Sequence, residues 1–332
     1  MENKFDIQLQ LFDRIRDQLP EHISMVDEVS DILEISNDSA YRRIRGEKHI
    51  SLHEVQKLAL VFNLSVDDLT GSKFDTVSFK TNLLDGNNYS FTEWLSHVLE
   101  FTLEAGKPDP SEVIFILNEL NIFHIVQFPE VCAFKLFFWQ KSNLDFADFK
   151  EVRFSIDELD ENILRLSKEI TDNFLKLNTI EFTTEECLNS ILKQILYYSE
   201  AGYFNTRNDA LNICGKLHEL LNHQQKQAEM GFKFLCGYPP VGKEGNFRLY
   251  HNDIILADNT IIVKSGESGT TFLTSNAINL MHTYNRAFFD YNYRWGQNLL
   301  KKSIPISGTA EKERNRFFLI LRDQIDMVAD RI

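Results

Sequence analysis

Cysteine, proline, positive charge and long apolar runs are all scarce in this 332-residue chain, and each scarcity closes off a class of protein. The four cysteines, Cys132, Cys187, Cys214 and Cys236, lie far apart and form no C-x-x-C pair. Neither a disulfide framework nor a zinc site is therefore indicated, and the thiols read as buried apolar groups in a reducing compartment. The passages "VIFILNELNIFHIVQF" and "AFKLFFW" are broken by Asn, Glu, His, Gln or Lys, well short of the roughly 20 apolar residues a spanning helix needs. The opening "MENKFDIQLQ" lacks the basic start and apolar run of a secretory signal, so a cytoplasmic protein with no membrane partner is expected. Basic residues number 35 against 49 acidic ones, for a net charge of -14. Such a surface repels anionic polymers, and any attraction for one must be local. What the chain has is 43% hydrophobic residues and 27 phenylalanines, enough for two packed domains of ordinary size.

In the first 70 residues the apolar positions recur at helical spacing. Helix starts are marked by "SMVD" at Ser24, "SLHE" at Ser51 and "SVDD" at Ser65, each with a hydroxyl at the N-cap and a carboxylate three residues on. Such a box satisfies orphan amides at both ends, at about 1 kcal/mol per cap. A first helix is predicted from about Phe5 to Leu19, ended by Pro20, a second from Met25 to Leu33, and a third from Asn37 to Arg45. Ser36 caps the third, and Gly46 is its left-handed terminator. Only Glu34, Ile35 and Ser36 separate the second from the third, a connection short enough to force a sharp crossing.

On a helical wheel of about 100° per residue, Ala40 and Ile44 form the inward face of the third helix. Asp38, Arg42 and Arg45 point outward, Ser39 and Tyr41 flank them, and Arg43 lies nearer the edge. "SAYRRIRGEKHI" carries four bases and one acid, whereas residues 1–71 carry eight bases and fourteen acids. The positive charge is concentrated on the projecting helix and the loop after it. A charge run is ordinarily a solvated face, and the bland alternative is a protein-interaction module. Here a short turn, an inward Ala and Ile, and cations on the opposite face coincide.

"VSDILEISNDSAYRRIRGEKHISLHEVQKLALVFNLSVDDL" resembles the Xre/Cro class of helix-turn-helix domains, and "SAYRRIRGEKHISLHEV" is especially similar to the BetR-like branch among bacterial regulators. The likeness covers about the first 70 residues and includes a small residue, Ser30, on the bracing helix, where the class commonly has Ala. Where the class often starts that helix with Gln, this chain has Val26. The resemblance implies a lambda-repressor-like fold of four to five helices that binds double-stranded DNA in the major groove. Asn37, Asp38, Ser39 and Arg42 would lie near base edges, with Asp38 able to accept from cytosine N4. Arg42 and Asn37 are the candidates for base contact, and Tyr41, Arg43, Arg45 and Lys48 for the backbone.

Residues 72–89 lose helical period and gain Gly, Asn and Asp, as a linker does. Beyond them, "SFTE" at Ser90, "SIDE" at Ser155 and "TTEE" at Thr183 again read as helix starts. Helices are predicted at about 91–105, 111–126, 130–141, 156–177, 184–201, 206–230, 276–302 and 311–331. "FRLYHNDIIL", "TIIVKS" and "TTFLTS" read as a small antiparallel meander. No 34-residue period supports a solenoid. "GYPPVGKE" matches a phosphate-binding loop literally, but two prolines remove amides, Glu244 replaces the magnesium-holding hydroxyl and no helix is expected after it. His218 and His223, in "HELLNH", are five apart and off one helical face, hence expected at the surface. No nucleophile sits in a recognisable setting. The aromatics of Phe123–Gln140 read as core, with a ligand-pocket wall or dimer seam as the alternative, and Phe288, Tyr291 and Trp295 as core with an interface edge.

The resulting expectation is a mainly α protein with a helix-turn-helix domain at 1–71, a linker at 72–89, and a mainly helical dimerisation and effector-sensing domain at 90–332 with a small embedded meander. It is a regulator without catalytic residues, cofactor or metal, acting on double-stranded DNA as a homodimer, with a small molecule or peptide as effector. The rival expectation is a ligand- or peptide-sensing module in which the N-terminal domain is secondary. A third, an enzyme with an appended DNA-binding domain, would need a polar constellation in a cleft.

Overall fold

A computed structural model describes residues 7–19, 23–62, 64, 76–81, 90–107, 111–157, 161–253, 259–276 and 278–332. The chain divides into two compact units, Met1–Phe79 and Lys80–Ile332. Among the described residues, no helix is long and apolar enough to cross a membrane.

The N-terminal unit contains α1 (Ile7–Gln18), α2 (Met25–Leu33), α3 (Asn37–Ile44) and α4 (Leu52–Val61). Its boundaries follow the capping chemistry. Ser24 accepts from the Asp27 amide, Ser36 from that of Ser39, and Ser51 and Glu54 form a complete box. The start expected at Ser65, and with it a fifth helix, lies outside the described residues. Leu11, Phe12, Ile15, Val29, Leu33, Ala40, Ile44 and Leu58 close into one core, each large side chain contributing about 1.5–3 kcal/mol by burial.

The second unit is also rich in helix, but its centre is not a small meander. Among the described residues, eight strands form one mixed sheet: β1 (Lys80–Thr81), β2 (Ser111–Ile116), β3 (Thr179–Thr183), β4 (Phe247–His251), β5 (Thr260–Ser265), β6 (Ser268–Ser275), β7 (Asn279–Thr283) and β8 (Ile304–Pro305). Their order is β1-β7-β6-β5-β2-β3-β4-β8. β2, β3 and β4 run parallel, with Val113, Thr179 and Phe247 in register. β5, β6 and β7 are an antiparallel meander beside them. "FRLYH" therefore pairs with β3 and not with "TIIVKS", and Lys80–Thr81, within the expected linker, pairs with β7.

The helices of this unit are α5 (Phe91–Ala105), α6 (Ile122–Ile125), α7 (Pro129–Phe138), α8 (Glu161–Phe174), α9 (Asn189–Glu200), α10 (Arg207–Met230), α11 (Arg286–Leu300) and α12 (Glu311–Ala329). Three expectations need correction. The predicted helix at 111–126 opens with β2 and is helical only at α6, because "VIFI" is a continuous apolar run. Val113 and Phe115 join the cluster that includes α5 and α8, while Ile114 and Ile116 join Phe289 and Leu299 of α11, and a strand buried on both faces shows no alternation. The start of the predicted 276–302 helix is β7, and α11 begins only after Asn285 caps the Phe288 amide. Ser155 and Thr183 cap no helix, since Ile156 and Asp157 are not helical and Thr183 ends β3.

On α11 the buried aromatic is Phe289, whereas Phe288 is half-buried and Tyr291 exposed. Gly269 is required there, because a Cβ would strike the Phe289 ring and the Val263 carbonyl. Phe123, Phe128, Phe134 and Phe137 are core, as expected. Phe134 stacks on Phe204 at 5.4 Å and meets Phe154 and Tyr198 edge-on.

Beneath the sheet lies a buried polar chain. Glu181 of β3 accepts from His124 Nε2 at 3.0 Å and from Asn121 Nδ2 at 3.2 Å, and its other oxygen has no partner. Lys233 is fully buried and donates to the Leu177 and Asn246 carbonyls, both at 2.7 Å, and to Thr179 Oγ1 at 3.0 Å. Burial pushes this ammonium down to about 7, opposed by the Glu181 carboxylate. His223, expected at the surface, is buried, its Nε2 2.9 Å from the Phe234 carbonyl. His218, five residues earlier and off that face, is half-buried, its Nε2 2.9 Å from Asp326 Oδ1.

Candidate nucleic-acid interface

The geometry of the projecting helix starts with the turn before it. Glu34 closes α2 in the left-handed conformation, φ 57°, and its amide returns to the Asp31 carbonyl at 3.3 Å. The Ile35 amide donates to the Ser30 carbonyl at 3.0 Å, and Ser30 Oγ donates to the Ile35 carbonyl at 2.7 Å. A residue on α2 thus holds the turn from within, which explains why a small hydroxyl suits position 30. Across the turn, Asn37 Nδ2 donates to Asp27 Oδ1 at 2.8 Å and ties the first turn of α3 to α2.

α3 presents its residues largely as the wheel requires. Ala40 is fully buried and Ile44 nearly so. Asn37, Asp38, Tyr41, Arg42, Arg45 and Lys48 are exposed, and Ser39 is half-buried. Gly46 has φ 76°, and the Glu47 and Lys48 amides turn back to the Arg42 carbonyl.

Arg43 is the departure. It is 7% exposed and donates through Nη2 to Glu54 of α4 at 2.7 Å and through Nη1 to Ser39 Oγ at 2.7 Å. Its expected place on the DNA backbone is therefore revised: its charge is spent inside the unit. Glu54 has two tasks, since its other oxygen accepts from the Ser51 amide at 2.8 Å as part of the α4 cap. Burial raises the Glu54 carboxyl, but the bonds from Ser51 and Arg43 outweigh this and hold it below the usual carboxylate range. The capping signal in "SLHE" was legible, but not the ion pair eleven residues away.

Arg45 lies over the Tyr41 ring, 5.4 Å from its centre, and approaches Glu47 at 3.5 Å. Arg42 and Lys48 have no intramolecular side-chain partner among the described residues, and neither does Asp38. A strongly acidic chain therefore holds two unspent cations on one helix and the loop that follows.

That loop is positioned by Gln8, a residue the sequence reading did not single out. Its Nε2 donates to the Arg43 carbonyl at 2.7 Å and to that of Lys48 at 2.8 Å, and its Oε1 accepts from the Ile50 amide at 3.0 Å. One amide from α1 thus replaces the backbone partners the loop lacks, and no local signal announces a contact across 35 to 42 residues. Substituting Gln8 with Leu strands the Lys48 carbonyl and the Ile50 amide and leaves the Arg43 carbonyl only the Gly46 amide, each stranded group a loss of about 1–3 kcal/mol where buried. Hydrogen exchange at Ile50 in the full chain is expected to accelerate by roughly 30-fold, the equivalent of about 2 kcal/mol.

Residues 6–82 match the BetR domain family. No curated protein and no solved structure matches the chain.

Proposed function

Taking the BetR domain at residues 6–82 as premise, we propose that the protein is a sequence-specific transcriptional regulator of the Xre class that binds double-stranded DNA in the bacterial cytoplasm. The reading has α3 in the major groove, with α2 bracing it. A single recognition helix covers few base pairs, so the protein acts as a homodimer on two half-sites about one helical turn apart. The Lys80–Ile332 unit supplies dimerisation and responds to a small-molecule or peptide effector.

The observation that supports this most is the division of the basic residues. Arg43 and Arg45 have intramolecular partners, whereas Arg42 and Lys48 stand exposed and unpaired on consecutive parts of the same surface. Arg42 is assigned to a base edge, with Lys48 and Arg45, alongside Tyr41, on phosphates. Asn37, held by Asp27, aligns the first turn of α3 and reaches bases only by exchanging that bond.

The test is binding of the full-length protein to a pool of random duplexes over a series of salt concentrations. Affinity should fall steeply with salt, because phosphate contacts release counterions. Replacing Arg42 with Ala should relax preference at one position, at about 1–3 kcal/mol, while Lys48→Ala should weaken every sequence alike and flatten the salt dependence by one charge. Equal effects of the two changes would contradict these roles, and absence of duplex binding even at low salt would remove the function.

A further inference from the structure

The outward face of α3 carries a carboxylate as well as a guanidinium. Asp38 and Arg42 are four residues apart, on one face, both exposed, and neither bonds to the other or to any described side chain. An unpaired acid is an odd group to bring toward a polyanion. Unless it accepts a hydrogen bond there, it loses solvation and gains only repulsion.

The major groove offers a carboxylate few donors: the amino groups of cytosine N4 and adenine N6. Beside the adenine amino group sits N7, an acceptor that repels the second carboxylate oxygen. Beside the cytosine amino group is only a C–H. Guanine and thymine turn acceptors toward the acid and are rejected outright, so the same charge that discourages general affinity enforces selectivity. Arg42, with its guanidinium free, matches guanine O6 and N7 with two parallel bonds. Four residues of helix advance about 6 Å, nearly two base-pair steps at about 3.4 Å each.

We propose that Asp38 and Arg42 act as an acid-base couple that reads a cytosine and a guanine within two steps of each other in each half-site. This rests on the DNA-binding reading above. Asp38 also stands in the first turn of α3, where any carboxylate is favoured by the helix dipole. That role would change stability and leave base preference untouched.

The experiment is selection from a randomised duplex pool by the full-length protein and by its Asp38→Asn, Asp38→Ala and Arg42→Ala variants. The wild type should enrich a motif with C and G so spaced. Asp38→Asn should move the preference at the cytosine position to adenine, which Asn reads through N6 and N7, and Asp38→Ala should level that position. Arg42→Ala should level the guanine position and keep the cytosine. Each loss should be roughly 5- to 100-fold in relative affinity. A wild-type motif that survives both Asp38 changes, or that lacks such a C and G, overturns the couple while leaving DNA binding intact. If no protein enriches any motif, the regulator reading falls and the couple with it.

Discussion

Replacing Lys233 with Met will destabilise the Lys80–Ile332 unit by about 3–5 kcal/mol, the usual result of removing one member of a buried charged group. The ammonium is fully buried and satisfies two carbonyls and a hydroxyl while facing the rings of Phe174 and Phe247 at 5.1 and 5.7 Å. Methionine fills similar volume but leaves the Leu177 and Asn246 carbonyls without this donor and takes from Glu181 one of its two basic neighbours. Thermal unfolding of the full chain should show the transition of this unit shifted down by roughly 10 °C. The pH dependence carries the same signature. Folding lowers the affinity of Lys233 for its proton to a value of about 7, whereas the unfolded lysine titrates near 10.4. Between those values the unfolded state binds more protons, so stability rises with pH across that window, and the cost of burying the ammonium is fully present below it. In the Met variant that rise should vanish. An unchanged pH profile would show that Lys233 is not the group responsible.

Substituting Glu54 with Ala will cost the N-terminal unit about 3 kcal/mol or more and, on the proposed function, weaken duplex binding. Arg43 would be left 7% exposed with only Ser39 to receive its charge, and α4 would lose half of its capping box. Uncompensated buried charge is the larger of these terms, and the cap adds about 1 kcal/mol. Glu54→Gln should fall between, since an amide oxygen still accepts from the Ser51 amide but carries no charge. Because folding holds the Glu54 carboxyl below its ordinary value, the stabilisation is complete above the unfolded carboxylate pKa of about 4.3 and is lost as the pH falls through the lower folded value. Amide exchange across residues 37–58 at pH 7 and below pH 4 measures both effects. Protection that does not change in Glu54→Ala would mean that Arg43 finds another partner.

The N-terminal unit and the second unit differ in how much of them could be read without coordinates. "SMVD", "SNDS" and "SLHE" specify helix starts through bonds made within four residues, and Glu34, Ile35 and Ser36 specify the turn through its length. Ala40 and Ile44 went inward because periodicity alone sets the angle of each side chain. In the second unit the same reasoning located the start of α5 at Ser90, whereas the starts expected at Ser155 and Thr183 cap no helix. It misread "SEVIFI", which carries no period at all.

By itself, then, the sequence determined where α2, α3 and α4 begin, which face of α3 is apolar, and that positive charge gathers on α3. These follow from interactions that span a turn or two of helix. Only the tertiary structure decided that Arg43 is spent on Glu54 while Arg42 is free, that Gln8 clasps the loop carrying Lys48, and that β4 joins β3. A helical wheel gives the direction in which a side chain points but not what waits there. That is set by the packing of elements distant in sequence, where one well-placed acceptor outweighs any local preference.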